Sequence, residues 1–448
     1  MWPTLAPVRR FLSVREVDDF SFLGIFVTIV DSDSGRTVRL HSQTPPQDID
    51  VTVSEQPIPL RLKPSRHFPF LARHPWVHAH ALAEDGRDLA CGQVIDLLDH
   101  DGNWVARGLV NPSSRLRVRL YAFGRSTNLD EQLWRSRIDA AVQRRRLSAE
   151  IDPEGAERLL FSESDLLSGL IVDRYADCLG VQFTSGALMR WKDEILDYLA
   201  EKLQTRAIMA RVDSRTAKHE GVEATEQWHT TALDAPVDYR QNGLDLRVDL
   251  RSGQKTGGYL DQRCNHQAVA RYVREKTVLD VCCYTGGFGL VAAKAGAAHV
   301  IGVDSSQAAL DAAGEAAERN GIENIRFQQG DCFDTLKELA SEGKQFDAIV
   351  LDPPRFAGSR HQIDSALRAY GRLNSLAVDL LPPGGVLATC SCSGRVSRSD
   401  FLNMLLDVGR RRHRDLIVLE NRGPAPDHPV AISCPESDYL KCVIAEVC

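Results

Sequence analysis

The spacing of hydrophobic and polar positions changes along the chain, and each change predicts a different kind of structure. Residues 57–124 carry short alternating runs separated by turn residues, which predicts a small β-barrel. Residues 125–235 begin with apolar positions at helical spacing and continue as four short strands with a helix at 188–203, which predicts a connecting helix and a small α/β domain. Residues 1–56 hold one apolar stretch and a polar tail typical of a linker, and we assign them no function.

Residues 236–448 follow a third pattern, in which strand and helix alternate. The pair Asn242-Gly243 lies between two alternating runs and predicts a hairpin with a tight two-residue turn. Beyond it the chain predicts strands at 277–283, 299–303, 325–329, 346–351 and 385–390, and helices at 289–295, 308–320 and 366–381. Such alternation is typical of a doubly wound, mostly parallel α/β sheet.

Composition narrows the class of protein. No apolar run in the 448 residues approaches the roughly 20 that a membrane span needs, so no membrane association is expected. The cysteine count of 11 is odd, which favours free thiols and a reducing cytoplasm. The net charge of -7 argues only weakly against nucleic acid as a partner, because residues 57–123 carry three more basic than acidic side chains.

Three arginines alternate in the β-like segment, at Arg115, Arg117 and Arg119. They could face RNA phosphates, or they could form the solvent face of an edge strand. Spacing alone favours neither interpretation.

The ends of successive predicted strands suggest an adenosine pocket. The first strand runs into a glycine turn at Gly286-Gly287, the second ends at Asp304, and the third ends at Asp331. A carboxylate at the second position can accept both hydroxyls of a ribose. NAD is a weaker candidate, because its pyrophosphate calls for Gly-x-Gly-x-x-Gly and here the two glycines are adjacent.

The next two predicted strands end in a carboxylate and in two thiols, which are groups that can take part in catalysis. One leads into Asp352-Pro353-Pro354-Arg355-Phe356 and the other into Thr389-Cys390-Ser391-Cys392-Ser393. Methylation at carbon 5 of cytosine uses a thiolate that adds at carbon 6, with a carboxylate near ring nitrogen 3. Methylation of an amine would favour an aromatic ring directly after the prolines, where Arg355 stands. Zinc is not expected, because Cys-x-Cys is too tight for the usual ligand spacing.

Together these motifs resemble the bacterial large-subunit ribosomal RNA cytosine-5 methyltransferases of the RlmI type, over about residues 57–448. The resemblance rests on Arg73-His74-Pro75-Trp76-Val77, on residues 164–174, on the run from Lys255 to Arg263, on Tyr284-Thr285-Gly286-Gly287-Phe288, on Ser391-Cys392-Ser393-Gly394, and on the tail Asp427-His428-Pro429-Val430 with Tyr439-Leu440-Lys441. The chain departs from the family pattern at Ser168, at Asp213-Ser214-Arg215, and in residues 1–56, which have no counterpart.

The resemblance implies a fold and a set of site residues. The fold is a class I, Rossmann-like methyltransferase that uses S-adenosylmethionine (SAM), preceded by a PUA-like RNA-binding domain at 57–124 and a middle domain at 125–235. The catalytic residues implied are Cys392, with Cys390 second, and Asp352. The implied cofactor-binding residues are Tyr259, Asp261, Gln262, Arg263, Tyr284, Thr285, Gly286, Gly287, Phe288, Asp304, Ser305, Asp331, Cys332 and Asp352.

The resemblance also implies RNA as the partner, specifically large-subunit ribosomal RNA, with no metal, while a homodimer stays open. Two other functions compete with cytosine methylation. One is methylation of a base nitrogen, which would make Cys392 an onlooker. The other is a non-catalytic RNA-binding assembly factor, which would have no reason to keep an adenosine pocket beside a thiol.

Overall fold

A computed structural model describes residues 28–30, 37–39, 56–147, 152–251, 253, 256–357 and 360–448. The chain divides into two compact units, Met1–Glu55 and Gln56–Cys448. In the first, β1 (Thr28–Val30) pairs antiparallel with β2 (Thr37–Arg39). The linker-like tail predicted in this region and Lys255 of the family motif lie outside the described residues. No helix in the described ranges has the length and apolar character needed to cross a bilayer.

The second unit begins with a five-stranded sheet. Its strands, in the order β3-β5-β6-β7-β4, are β3 (Ile58–Arg61), β4 (Trp76–His78), β5 (Val94–Leu98), β6 (Trp104–Val110) and β7 (Leu116–Ala122), with a short helix α1 (Phe68–Leu71) and a 3-10 turn at Ala79–Ala81. Within this sheet, β3 and β5 run parallel and the other neighbours run antiparallel. The strands of the predicted barrel therefore form, and apolar side chains such as Val77, Ile95 and Val118 fill their core.

Two of the three alternating arginines, Arg117 and Arg119, lie in β7 and fit neither predicted interpretation, whereas Arg115 precedes the strand and is exposed. This strand lies inside the sheet, and Arg117 and Arg119 are 4% and 8% exposed. Arg117 donates to the carbonyl of Asn111 at 3.0 Å, and Arg119 donates to Glu163 at 3.2 Å and to the carbonyl of Thr184 at 2.8 Å. Both guanidinium groups thus serve internal packing, and neither faces solvent or a phosphate.

A long helix and a second sheet follow. The helix α2 (Glu131–Arg145) precedes β8 (Ala156–Phe161), β9 (Leu170–Tyr175), β10 (Cys178–Phe183), β11 (Ala207–Val212) and β12 (Thr225–Trp228), with α3 (Lys192–Leu203), α4 (Ser214–Glu220) and 3-10 turns at Ser162–Asp165 and Ala187–Trp191. Strand order is β12-β11-β10-β9-β8. Leu109 and Tyr121 of the first sheet share one core with Trp134 and Leu160, so the two regions pack without a solvent gap.

The predicted hairpin forms between β13 (Val237–Gln241) and β14 (Leu244–Val248). Asn242 and Gly243 both have positive φ, 55° and 73°, as a tight turn requires. The helix α5 (Arg263–Ala270) then leads into the largest sheet.

That sheet has seven strands in the order β17-β16-β15-β18-β19-β21-β20. Its strands are β15 (Thr277–Val281), β16 (His299–Asp304), β17 (Ile325–Gln329), β18 (Ala348–Leu351), β19 (Gly385–Ser391), β20 (Leu416–Arg422) and β21 (Lys441–Val447). The helices are α6 (Gly287–Lys294), α7 (Gln307–Arg319), α8 (Cys332–Ser341), α9 (Ile363–Asp379) and α10 (Arg398–Arg412), with 3-10 turns at Arg360–Gln362 and Pro435–Ser437. All neighbours run parallel except β21, which is antiparallel to β19 and β20.

Candidate active site

Five parallel strands end at one edge of the large sheet, and the predicted site residues follow those ends. Tyr284 follows β15, Asp304 ends β16, Asp331 follows β17, Asp352 follows β18, and Cys392 follows β19. In an open α/β sheet, ligands bind at the carboxyl ends of the strands. We call this edge the cleft.

The turn after β15 is built for close approach to a ligand. Cys282, Tyr284 and Gly286 have positive φ of 61°, 50° and 78°, which only a tightly constrained turn imposes on side chains other than glycine. At Gly287 a Cβ atom would lie 2.4 Å from the ring of His266, so no larger residue fits there. The absence of a side chain at Gly287 thus lets the start of α6 pack closely on His266 of α5.

The carboxylate of Asp304 is fixed by this turn. Its Oδ2 accepts the amide N–H of Tyr284 at 2.9 Å, and its Oδ1 accepts the amide N–H of Ser306 at 2.9 Å. Asp304 stays partly exposed, and the side chains of Ser305 and Thr285 beside it are exposed or partly exposed. These contacts orient the carboxylate at the place predicted for the ribose.

Asp331 is exposed in the cleft and precedes α8. Its Oδ1 accepts the amide N–H groups of Phe333 at 2.9 Å and Asp334 at 3.1 Å, an N-cap that orients the carboxylate. Cys332 lies next to it and is partly exposed. Phe288, by contrast, is 4% exposed and packs edge-on against His266 with ring centroids 4.4 Å apart, so its ring belongs to the core.

Asp280 is a site residue that the sequence reasoning missed. It is fully buried in β15, its Oδ2 accepts the amide N–H of Gly289 at 2.8 Å, and among the described residues its Oδ1 has no hydrogen-bond partner. Burial, with the charges of Asp352 and Asp304, raises the pKa of Asp280 to about 7. A carboxylate oxygen left open at a glycine turn suits an ammonium group. The sequence signal that could have identified Asp280 is an acidic residue inside an otherwise apolar strand.

Cys392 and Asp352 come together at the far side of the cleft. The thiol of Cys392 is partly exposed and lies 4.0 Å from the carbonyl oxygen of Pro353, the residue after Asp352. Tyr259 stands over this region, 38% exposed, with its ring 5.3 Å from that of Tyr284 and nearly perpendicular to it. Cys392 and Asp352 are among the charges that raise the pKa of Tyr259, after burial and Tyr284.

Cys390 has a different environment. It is fully buried, it is the register partner of Cys442 on β21, and it belongs to an apolar core with Phe288. The Cys442 thiol and burial raise the pKa of Cys390 well above its ordinary value. A ligand in the cleft reaches Cys392 and not Cys390.

The segment from Tyr259 to Arg263 is held by the chain's C-terminal region. The hydroxyl of Tyr439 donates to Asp261, Arg263 pairs with Asp427, and the amide N–H of Ala425 donates to the carbonyl of Asp261 at 2.8 Å. Gln262 is 4% exposed, and its Oε1 accepts from Asn265 at 2.6 Å. Two residues of this region, Tyr439 and Lys441, approach Cys392, and sequence reasoning assigned them no role.

One group in the described ranges has the composition of a metal site. Ligand atoms of His74, Cys434 and Glu436 lie within 4.8 Å of one another. The amide N–H of Trp76 donates to His74 Nδ1 at 3.3 Å, which leaves the ring proton on Nε2, and Nε2 lies 3.2 Å from Glu436. A hydrogen bond between His74 and Glu436 therefore accounts for the pair.

Two segments of the chain match known protein families. Residues 60–123 match a family described as a PUA-like domain, and residues 273–418 match one described as a methyltransferase domain. These segments cover the first five-stranded sheet and most of the seven-stranded sheet.

Individual relatives match most of the chain along nearly their whole length. It is 37% identical over 394 residues to ribosomal RNA large subunit methyltransferase I of Shewanella denitrificans, covering 87% of this chain and 99% of that protein. The protein of the same name from Shewanella amazonensis is 38% identical over the same share of each chain. Among solved structures, SMU.776, a methyltransferase complexed with SAH, has a TM-score of 0.75 at 18% identity, covering 87% of this chain and 100% of that one. That likeness concerns the fold.

Proposed function

Since the chain belongs to the ribosomal RNA large subunit methyltransferase I family, we propose that it transfers a methyl group from SAM to carbon 5 of a cytosine in large-subunit ribosomal RNA. Its methyltransferase domain follows a PUA-like domain in one chain. The observation that carries the cytosine assignment is the partly exposed Cys392 thiol, 4.0 Å from the carbonyl that follows Asp352. We place the activity in the cytoplasm, because none of the 11 cysteines, all of which the structure describes, forms a disulfide.

The residues of the cleft fit SAM. Asp304 would accept the ribose hydroxyls, Asp331 would face the adenine amino group, and Asp280 would accept from the ammonium of the methionine moiety. The fit rests on the buried Oδ1 of Asp280, which has no hydrogen-bond partner among the described residues, and on the backbone amides that orient Asp304 and Asp331. When bound, SAM supplies an electrophilic methyl group.

Cys392 and Asp352 have different roles toward the cytosine base. The thiolate of Cys392 adds to carbon 6 of cytosine, forming a carbon–sulfur bond and making carbon 5 an enamine nucleophile. Asp352 would act as the polar partner of ring nitrogen 3 while charge develops on the ring. After carbon 5 takes the methyl group, a base removes the proton from carbon 5, the carbon–sulfur bond breaks, and the thiolate is regenerated.

Positive charge at the mouth of the cleft supports RNA as the substrate. Arg355 is exposed, and its pKa is lowered by burial of its stem and by the charges of Arg215 and Arg395. These three arginines come from α4, from the loop after β18 and from the loop after β19. Several cations beside a nucleophile can hold the phosphates that flank a target base.

The position of Phe356 argues against a base nitrogen as the target. Enzymes that methylate an exocyclic amine need an aromatic ring free to stack on the base. Phe356 instead packs against Tyr370 with ring centroids 4.7 Å apart and lies against the buried cluster below the cleft.

Two cysteine variants test the proposal. Cys392→Ala should abolish methylation while keeping SAM affinity, because only the covalent step needs the thiol. Cys390→Ala, two residues earlier and buried, is the matched control and should stay active. RNA with 5-fluorocytosine at the target should trap a covalent complex with wild type and with Cys390→Ala, since fluorine does not leave as a proton does. Wild-type rates in both variants would refute carbon-5 chemistry and favour a nitrogen.

A further inference from the structure

Lys441 is a buried lysine whose ammonium contacts the backbone of the residue directly after Cys392. It is 1% exposed and begins β21, where its register partner is Ser391 of β19. Its Nζ donates to the carbonyl of Ser393 at 2.7 Å and to the carbonyl of Tyr439 at 2.8 Å. Cys392 therefore lies between Ser391, the register partner of Lys441, and Ser393, whose carbonyl accepts from the Lys441 ammonium.

This burial is costly. An ammonium removed from water loses its hydration, and this loss is unfavourable unless charged partners replace the water. Both acceptors of Lys441 are neutral carbonyls, and within the described ranges no carboxylate forms an ion pair with its Nζ. A methionine would fill similar space without that cost, so packing alone does not explain a lysine here.

Four charged or titratable groups act on the ammonium. Burial lowers the pKa of Lys441 to about 8, Asp438 and Cys392 raise it, and Arg398 and Arg355 lower it further. Of these groups, Cys392 is the one that the proposed reaction needs in its ionised form.

We propose that Lys441 is a positioning residue for the nucleophile: its ammonium holds the carbonyl of Ser393, directly after Cys392, and favours the thiolate over the thiol. The use of that thiolate in catalysis rests on the proposed function, whereas the effect on the thiol does not. Arg355 also faces Cys392 but is exposed and open to RNA phosphate. Lys441 is buried, so its charge stays out of reach of RNA phosphate when RNA covers the cleft.

Alkylation of the thiol measures this effect without RNA or SAM. The full-length protein is treated with iodoacetamide across a pH series, and the rate is read at the Cys392 peptide by mass spectrometry. A cation within a few ångströms lowers a neighbouring thiol's pKa by about one unit or more. In Lys441→Gln, which keeps N–H donors but loses the charge, the half-maximal pH should rise by about one unit. Lys441→Arg should stay close to wild type.

Two references separate charge from disturbance. Arg398→Gln removes a neighbouring cation whose guanidinium donates to the carbonyl of Arg422 at 2.9 Å, and it should shift the profile much less. The exposed Cys448 should react identically in every variant. An unchanged Cys392 profile in folded Lys441→Gln overturns the proposal. If that variant does not fold, Lys441→Met takes its place.

Methylation rates provide the link to catalysis. Lys441→Gln should lose about tenfold in kcat at neutral pH, one unit of thiol pKa, and recover as the pH rises, with KM for RNA unchanged. If Cys392→Ala still methylates RNA, the proposed function fails while the alkylation shift still decides the role of Lys441. A shifted alkylation profile with a flat kcat profile would show that Lys441 favours the thiolate but that methylation does not depend on this thiolate.

Discussion

At the scale of single residues, Asp280 is the group whose protonation the cleft controls most directly. It is fully buried, one of its oxygens accepts the amide N–H of Gly289, and burial raises its pKa to about 7. An ammonium brought beside it would favour the carboxylate form, because opposite charges stabilise each other strongly away from water.

We therefore expect SAM affinity to depend on pH. In the free protein Asp280 is protonated below about pH 7, so SAM binding there must first expel a proton. Affinity should rise as the pH increases through about 7, with proton release visible in calorimetry as a dependence on buffer ionisation enthalpy. Asp280→Asn should remove this dependence. Asp304→Asn is the control: it should weaken binding by about 1.5–3 kcal/mol at every pH. A flat wild-type profile would exclude Asp280 from the site.

At the scale of elements, the chain segment that carries Tyr259 rests on β10. At Gly180 of β10 a Cβ atom would lie 1.9 Å from the carbonyl oxygen of Thr256, a backbone atom that cannot turn aside. Thr256 in turn donates to the buried Asp173 of β9, and Arg211 of β11 donates to the carbonyl of Gly253 at 2.7 Å. The middle sheet thus holds the segment that leads to the cleft.

Gly180→Ala should displace that segment. We expect a lower unfolding midpoint and a loss of methylation larger than the loss of RNA affinity, since the contact disturbed leads to Tyr259. Gly314→Ala is the matched control, because Gly314 lies inside α7 and a Cβ atom there would have no neighbour within 4 Å. There alanine should stabilise the protein by about 0.5–1 kcal/mol. Thermal unfolding and rate assays check both, and a wild-type midpoint for Gly180→Ala would contradict the contact.

The arrangement of strands also explains which parts of the fold and the site could be predicted from the sequence. The strands β15 to β19 end in polar groups that share an edge by the topology of parallel sheets, so Asp304 and Cys392 could be placed from local sequence. β21 could not, because Cys442 to Val447 is a short apolar run without a period that separates strand from helix. The role of Lys441 depends on the register of β21 against β19, residues some fifty positions apart, and no local pattern encodes it.

At the scale of the molecule, buried carboxylates join the PUA-like sheet to the middle sheet. Glu163 accepts from Trp76 Nε1 at 2.8 Å, and Glu220 accepts from Asn111 at 3.0 Å and from Ser114 at 2.9 Å. Arg119 lies 3.2 Å from Glu163 and 3.7 Å from Glu220. Deleting the first sheet would leave both carboxylates without these partners, so substitutions test RNA binding better than truncation.

Glu163 offers the sharpest test of this junction. Burial raises its pKa, but Arg119 and the hydroxyl of Ser168 outweigh burial and hold the pKa below the ordinary value. A carboxylate with a lowered folded-state pKa adds stability above its unfolded pKa, and that stability is lost as the pH falls through the folded value. The junction should therefore loosen in acid.

Glu163→Gln should destabilise the protein by about 1–3 kcal/mol at neutral pH, because the buried Arg119 loses the nearer of its two carboxylates and keeps only Glu220 at 3.7 Å. The deficit relative to wild type should shrink as the pH falls below about 4, where wild type loses the same charge. Glu131→Gln is the control: Glu131 is 54% exposed and pairs with Arg135 at 2.6 Å on the surface of α2, so its loss should cost no more than about 1 kcal/mol. Urea unfolding followed by tryptophan fluorescence measures both. Equal losses in the two variants, or a deficit that does not change with pH, would show that the Glu163–Arg119 pair does not hold the two sheets together.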